Sequence, residues 1–207
     1  MFPGTLPLSA QTALAVLGQS DIAKTTYMAG GSALALQLGH RQSVDFDFFS
    51  QEAFDPQGVA SHLTSKGEFV THQLTPKTLL GAFNGVRFSL FHYPYPLIDQ
   101  TVPYNGVALA SPKDIAAMKL VAITDRGSKK DFIDLYELAK QQFSIENMFD
   151  FYEQKYHLLA ENKLLLLKSL QYFEDAEASE MPIMVIQIDW EEVKKFFQDE
   201  VVKLWHN

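Results

Sequence analysis

The stretch YMAGGSALALQLGHRQSVDFDFFS, residues Tyr27–Ser50, decides the fold because it orders a strand, a glycine turn, a short helix and a second strand. The apolar run Thr25–Ala29 predicts the first strand, which ends at a pair of glycines. Ser32 is the predicted N-cap of a helix over the letters ALALQLG, and Gly39 is its predicted stop. The run SVDFDFFS, Ser43–Ser50, predicts the next strand. The segment therefore predicts one unit of a mixed α/β (α+β) fold.

Two aspartates, Asp45 and Asp47, lie one residue apart in that second strand. Side chains along a strand alternate faces, so both carboxylates share one face while Val44, Phe46 and Phe48 share the other. Their Cα atoms are about 7 Å apart, from the ~3.3 Å rise per residue, and the side chains can converge on a divalent ion. The pair is the predicted site for Mg²⁺ or Mn²⁺. Taken alone, the pair would fit an acidic strand face in solvent better than a metal site.

The glycine turn predicts a phosphate site beside these acids. Gly30 and Gly31 let the backbone approach a ligand closely, and the first amides of the following helix point outward at the positive end of its dipole. Together with Ser32 and Arg41 they are the predicted phosphate contacts of a nucleoside triphosphate. The patterns GxxxxGK[ST] and GxGxxG are absent from the sequence. The alternatives are a purely conformational role for the glycines, N-capping by Ser32, and an ion pair of Arg41 with an acid.

Further local signals continue the mixed pattern up to about residue 110. Asp55 as N-cap and Pro56 at the first position predict a helix that ends near Gly67. The pair Asn84–Gly85, between the runs TLLGAF and VRFSLFHYPY, predicts a β-hairpin, and Asn105–Gly106 predicts another.

The second half of the chain reads as helical. Ser111 is a predicted N-cap, Pro112 takes the first helical position, and Asp114 completes a predicted capping box. We therefore predict an α/β core over residues 1–110, followed by a helical C-terminal region over residues 111–207 that packs on it.

Composition sets limits on the class of protein. The chain has 207 residues, of which 47% are hydrophobic and 20% charged, as in an ordinary globular protein. Its formal charge of −8 argues against a broad nonspecific nucleic-acid surface. It has no cysteine, no apolar run near the roughly 18 residues needed to cross a bilayer, and no basic start of a signal peptide. We expect a cytoplasmic protein without a membrane partner.

The quoted stretch resembles the GS…DxD signature of the nucleotidyltransferase fold, and in detail the AbiEii/AbiGii toxin family of abortive-infection systems. The resemblance lies in a Gly-Gly-Ser turn, a His-Arg pair and a Ser-x-Asp-x-Asp-Phe-Phe strand in that order. These residues are Gly30, Gly31, Ser32, His40, Arg41, Ser43, Asp45, Asp47, Phe48 and Phe49.

A second block, KLVAITDRGSKKDFIDLYEL, is similar to the Lys…Arg…[Lys/Arg]-Asp-x-x-Asp-Leu motif of the same family. It is formed here by Lys119, Arg126, Lys130, Asp131 and Asp134. The resemblance implies a nucleotidyltransferase-fold core that moves a nucleotidyl group from a nucleoside triphosphate to an acceptor hydroxyl, with tRNA or another RNA as candidate acceptor. It also implies the toxin half of a toxin–antitoxin system, with a cognate antitoxin as partner.

Lys119 is a candidate site residue on physical grounds as well. The helix pattern DIAAMKLVAI leaves little polar surface, so its ammonium needs a carboxylate, a phosphate or a route to water. The resemblance implies that Lys119 contacts phosphate. It also implies that Lys119, Asp131 and Asp134 are catalytic residues. The alternatives are a lysine that extends to solvent, and ion pairs of these acids, three residues apart, with Arg126 or a nearby lysine.

One departure from the family concerns the third carboxylate that nucleotidyltransferase folds commonly take from a neighbouring strand. The run VRFSLFHYPY, Val86–Tyr95, holds no acid. His92, Asp99 and Asp131 are the alternative candidates for the base. Two other functions therefore stay open: a degenerate member that binds nucleotide or a protein without turnover, and a phosphotransferase that moves the γ-phosphate.

Overall fold

The computed structural model describes residues 1–205. The chain divides into two compact units between Ser111 and Pro112. The first unit is mixed α/β and the second is helical, which confirms the predicted fold class.

The N-terminal unit contains a mixed seven-stranded sheet. In chain order its strands are β1 Tyr27–Ala29, β2 Phe46–Ser50, β3 Phe69–Thr75, β4 Thr78–Phe83, β5 Val86–His92, β6 Val102–Tyr104 and β7 Val107–Leu109. Their spatial order is β3-β4-β5-β2-β1-β7-β6. The central strand β2 is antiparallel to β1 and parallel to β5, so the acid-bearing strand has a partner on each side.

Helices of this unit pack on the sheet. They are α1 Leu8–Gly18, α2 Ile22–Thr25, α3 Gly30–Leu38 and α4 Pro56–Lys66. α3 contacts β1 and β2, whereas α4 contacts β3 and β4. One sheet face is fully buried by large apolar side chains. It includes Met28, Phe46, Phe48, Phe88 and Leu90.

The opposite face of the central strands is only partly buried, and we call it the aspartate face. It is formed in β2 by Asp47 and Phe49 and in β5 by Ser89 and Phe91, because side chains alternate along each strand. Asp47, Phe49 and Phe91 are half-buried, whereas Ser89 is buried. The sheet therefore presents a carboxylate on a partly open surface.

The strongest local signals of the sequence are confirmed. The Asp55 carboxylate accepts hydrogen bonds from the backbone amides of Gln57 and Gly58 at the start of α4. Asn84–Gly85 and Asn105–Gly106 both have positive φ angles and join antiparallel strands, as the two predicted hairpins require.

Strand boundaries in the first half differ from the prediction. β1 begins at Tyr27, because Thr25 ends the short helix α2 and the Thr26 hydroxyl donates to the Ile22 carbonyl at 2.7 Å. β2 begins at Phe46, and Val44, which was predicted to share a strand face with Phe46 and Phe48, is 50% exposed.

Two further expectations need correction. Ser32 does not act as the N-cap, because α3 already begins at Gly30. The edge strand β3 was not predicted, since its letters FVTHQLT lack an apolar alternation and most of its side chains are exposed. Backbone pairing with β4 holds this strand in place, and Phe69 at its start packs against Phe88 of the core.

The C-terminal unit is built from helices, as predicted. They are α5 Pro112–Asp125, α6 Lys129–Gln141, α7 Ile145–Tyr156, α8 Leu159–Ser169, α9 Glu174–Ala178 and α10 Trp190–Trp205. α5 packs against α6, α7 and α8. A fully buried ion pair, 2.8 Å between Lys155 Nζ and Asp114 Oδ1, joins α7 to α5. Within residues 1–205, no helix is both long and apolar enough to cross a bilayer.

Candidate functional site

The glycine turn touches the acid strand directly. Gly30, the first residue of α3, has a φ of +70°, a left-handed conformation that favours glycine. A Cβ built on Gly30 would lie 2.8 Å from Oδ2 of Asp47. The carboxylate therefore occupies the space that a side chain at Gly30 would need.

The next residue, Gly31, makes an equally close approach to a cation. A Cβ on Gly31 would overlap Nη2 of Arg41 and would lie 3.3 Å from Oγ of Ser43. Arg41 is 3% exposed, and its Nη1 donates to the Gln42 carbonyl at 3.0 Å. A buried guanidinium beside the first turn of α3 adds positive charge where the helix dipole is already positive.

Ser32 fixes the same turn from inside the helix. Its hydroxyl lies 2.9 Å from that of Ser43, so the two serines hydrogen-bond across the segment that joins α3 to β2. The structure thus brings together four of the predicted phosphate contacts, Gly30, Gly31, Ser32 and Arg41, and it adds Ser43, which was noted only as part of the family resemblance. The fifth predicted contact, Lys119, lies in the C-terminal unit.

Strand register decides the neighbours of the two acids. Asp47 is in register with Ala29 of β1 and Ser89 of β5, which are both small residues. Asp45 precedes β2, and its Oδ2 lies 3.6 Å from Nη1 of Arg87. The Asp45 side chain is 28% exposed and that of Arg87 is 71% exposed, so this pair is weak and open to solvent.

Asp45 and Asp47 are suited to hold Mg²⁺ together with the phosphates of a nucleotide. Among residues 1–205, no group of three or more His, Asp or Glu side chains could hold a metal ion by itself. Mg²⁺ is commonly held by one or two carboxylates together with substrate phosphates and water. Asp45 and Asp47, both only partly buried, fit that donor set.

Candidates for the base occupy less suitable places in the N-terminal unit. His92 is in register with Ser50, and strand alternation puts it on the face opposite to Asp47. Asp99 is exposed in the segment after β5, where its Oδ1 accepts from the Gln100 amide at 2.8 Å. The residue in register with Asp47 in the neighbouring strand is Ser89, which offers a hydroxyl and no carboxylate.

The second motif forms one buried ion-pair cluster in the C-terminal unit, which we call the Lys119 cluster. Its members are Lys119, Arg126, Ser128, Asp131 and Asp134. Lys119 Nζ lies 2.8 Å from Oδ1 of Asp131 and 2.5 Å from Oδ2 of Asp134. The Lys119 side chain is 5% exposed, and both carboxylates are fully buried.

Asp131 accepts hydrogen bonds from Arg126 and Ser128 in addition to its ion pair with Lys119. Arg126 donates to both of its oxygens, at 2.8 and 3.0 Å, and the Ser128 hydroxyl donates at 2.6 Å. Burial by itself would raise the pKa of Asp131, but the charges and hydrogen bonds of Lys119 and Arg126 hold that pKa well below its usual range. A carboxylate whose pKa is lowered by two cations binds a proton weakly, so this arrangement does not favour Asp131 as a general base.

Two solved structures show which fold this is. JHP933 from Helicobacter pylori superposes with a TM-score of 0.52 at 17% identity, over 96% of this chain and 92% of that one. MenT4, the nucleotidyltransferase toxin Rv2826c from Mycobacterium tuberculosis H37Rv, gives 0.57 at 14% identity, over 95% and 86%. The chain therefore has the nucleotidyltransferase fold, as the GS…DxD resemblance predicted.

Comparison at the level of sequence identifies the family. The family model described as nucleotidyl transferase AbiEii toxin, type IV toxin–antitoxin system, matches residues 12–101 and 91–204. An uncharacterized protein of Aquifex aeolicus (strain VF5) is 37% identical over 186 residues, which cover 87% of this chain and 88% of that protein. The chain belongs to the AbiEii nucleotidyl transferase toxin family, and the predicted resemblance is confirmed.

Proposed function

We propose that this chain is a Mg²⁺-dependent nucleotidyltransferase that moves a nucleotidyl group from a nucleoside triphosphate to an acceptor hydroxyl on tRNA or another RNA. The observation that supports it most is the contact between the glycine turn and the acid strand. Because Gly30 lies against Asp47, a phosphate held at the start of α3 would be next to a carboxylate suited to Mg²⁺.

Each residue of the N-terminal site has a role in this proposal. The first amides of α3, at Gly31 and Ser32, hold the outer phosphates, and the buried Arg41 guanidinium supports the negative charge there. Asp45 and Asp47 would hold the metal ion. When bound, Mg²⁺ supplies charge that polarises the α-phosphate and stabilises the departing pyrophosphate.

The proposed reaction is an in-line displacement at the α-phosphorus. The acceptor hydroxyl oxygen forms a bond to that phosphorus, the bond to the oxygen bridging to the β-phosphate breaks, and pyrophosphate leaves. The hydroxyl proton is released to a base. The side chains described above contribute by positioning the phosphates and by excluding alternative orientations.

Labelled triphosphates test this function directly. Incubation of the chain with RNA and Mg²⁺ should attach label to the RNA from an α-labelled triphosphate, whereas a γ-labelled one should yield labelled pyrophosphate only. Label transferred from the γ-position would instead identify a phosphotransferase. Asp47→Asn is the negative control, because it changes one carboxylate of the proposed metal pair.

Binding without turnover is the second candidate, and one observation favours it. Ser89 lies beside Asp47 in the neighbouring strand β5, and that strand holds no acid, although this fold commonly takes a third carboxylate from a neighbouring strand. If the chain binds Mg²⁺ and triphosphate but releases no pyrophosphate with any RNA, this second function replaces the first.

As a member of a toxin family, the chain would act in the cytoplasm on the RNA of its own host and would be counteracted by a cognate antitoxin. Induced expression should then arrest growth, and Asp47→Asn should relieve the arrest. If growth arrest persists in the Asp47→Asn variant, toxicity does not depend on the proposed nucleotidyl transfer.

A further inference from the structure

A row of aromatic rings lies on the aspartate face immediately beyond Asp47. Tyr27, Phe49 and Phe91 are in register across β1, β2 and β5, with ring centroids 5.7 Å apart for the first pair and 5.6 Å for the second. We call these three residues the aromatic row. Phe49 is two residues after Asp47, so the row begins about 7 Å from the acid along the strand, on the same face.

The outer end of the aromatic row, at Phe91, is flanked by a small residue and by two tyrosines. The residue in register with Phe91 in β4 is Thr78, whose side chain is short and half-buried. The ring centroids of Tyr93 and Phe49 are 5.2 Å apart in an edge-to-face arrangement. Tyr95, which is 37% exposed, has its ring centroid 4.8 Å from that of Tyr93. A half-buried Phe91 beside a small neighbour and a tyrosine rim can accept a flat, polar-edged ligand.

The position of the row relative to the glycine turn indicates which ligand this is. Asp47 is in register with Ala29, next to the glycine turn, whereas Phe49 is in register with Tyr27 at the far end of β1. In an in-line displacement the attacking hydroxyl and the departing pyrophosphate lie on opposite sides of the α-phosphorus. If pyrophosphate leaves toward the glycine turn, the acceptor approaches from the aromatic row.

We propose that the aromatic row, with Tyr93 and Tyr95, binds the terminal nucleobase of a single-stranded RNA acceptor by stacking. The inference rests on the proposed function, because it takes the acceptor to be RNA. Every nucleobase has a π-face, and stacking on protein aromatics is the usual way to hold an unpaired base. Phe91 and Tyr93 therefore position the acceptor and do not take part in bond making.

Binding of a short RNA tests the proposal without requiring turnover. A fluorescently labelled single-stranded RNA with a free 3′ hydroxyl is titrated with the full chain and with Phe91→Leu and Tyr93→Leu. Each replacement keeps apolar bulk but removes a ring, and we expect RNA affinity to fall roughly tenfold. Phe91→Tyr keeps the ring and should bind as the wild type does.

The matched control is Tyr172→Leu in the C-terminal unit, where the exposed Tyr172 hydroxyl donates only to Glu174. It should leave RNA affinity unchanged. Thermal unfolding of every variant separates a lost contact from a lost fold, and Tyr95→Leu, at the exposed rim, provides a further variant if Phe91→Leu unfolds.

Three outcomes would overturn the proposal, and a separate titration with triphosphate and Mg²⁺ distinguishes them. Lower triphosphate affinity with unchanged RNA affinity would mean that the row holds the base of the donor nucleotide. Unchanged RNA affinity in all ring-deleting variants would make the row simple packing. No RNA binding by the wild type would exclude this acceptor.

A further outcome concerns the proposed function alone. Tight, ring-dependent RNA binding without pyrophosphate release would support RNA binding by the aromatic row and contradict the proposed transfer reaction.

Discussion

Replacing Lys119 with methionine is the sharpest test of what the buried cluster does. The methionine keeps an unbranched apolar stem and deletes the ammonium that lies 2.8 Å from Asp131 and 2.5 Å from Asp134. Both carboxylates are fully buried, so each would lose a cation in a region with little water.

Removing one partner of a buried ion pair costs about 3–5 kcal/mol of folding free energy. Arg126 and Ser128 still donate to Asp131 after the replacement, so we expect a loss near the lower end, about 3 kcal/mol. For a chain of this length each kcal/mol shifts Tm by roughly 2–4 °C, which gives a decrease of roughly 6–12 °C.

Thermal unfolding as a function of pH checks the cause. Because the pKa of Asp131 is lowered in the fold, its stabilising contribution is complete above its ordinary pKa and is lost as pH falls through the folded value. The Lys119→Met variant should therefore be least stable relative to wild type near neutral pH. The difference should shrink toward about pH 4 and below, where buried carboxyls can take up protons.

A second substitution distinguishes an ion pair from a phosphate contact. Adding Asp134→Asn to Lys119→Met should restore part of the lost stability, because the amide needs no cation. Unchanged stability in the single variant, combined with at least a tenfold loss of triphosphate affinity, would refute the ion-pair reasoning and assign Lys119 to the nucleotide.

The N-terminal site yields three further predictions. Asp47→Asn should abolish Mg²⁺-dependent triphosphate binding in calorimetry, with Tm unchanged or raised because mutual repulsion with Asp45 is relieved. Gly31→Val should displace the Arg41 guanidinium and weaken triphosphate binding at least tenfold; a folded variant with wild-type affinity would remove this turn from the site. Arg87→Ala should strengthen Mg²⁺ binding a few-fold in the presence of triphosphate, since a cation 3.6 Å from Asp45 competes with the metal; weaker binding would make Arg87 a phosphate contact.

Local chemistry explains which parts of the fold the sequence could predict. Some features depend only on residues that are neighbours in the sequence, so short sequence motifs predict them. These features are the Asp55 N-cap, the left-handed end of α3 at Gly39 and the two Asn-Gly hairpins. The strand β3 depends on pairing with β4, and its exposed side chains leave no periodic pattern. Tertiary pairing of this kind has no local signature.

The candidate site shows the same division. The acid pair and the glycine turn are adjacent in sequence, and the order of strand, turn and strand was enough to predict that they belong together. The pairing of Asp47 with Ser89 in register, and the ion pair of Asp45 with Arg87, follow from the alignment of β2 with β5, which no spacing in the sequence encodes. For Lys119, the apolar helix predicted burial and the need for a partner, but left the partner open.

The contact between Gly30 and Asp47 affects how the sequences of related chains should be interpreted. Gly30 is required twice, by its positive φ and by the carboxylate in the space where its Cβ would lie. A descendant that exchanged Asp47 for a smaller neutral residue would relieve only the second requirement, so the glycine would persist after the acid had gone. Among diverged chains of this fold, a retained glycine at this position therefore indicates the shape of the turn, and it is not by itself a sign of the proposed metal site.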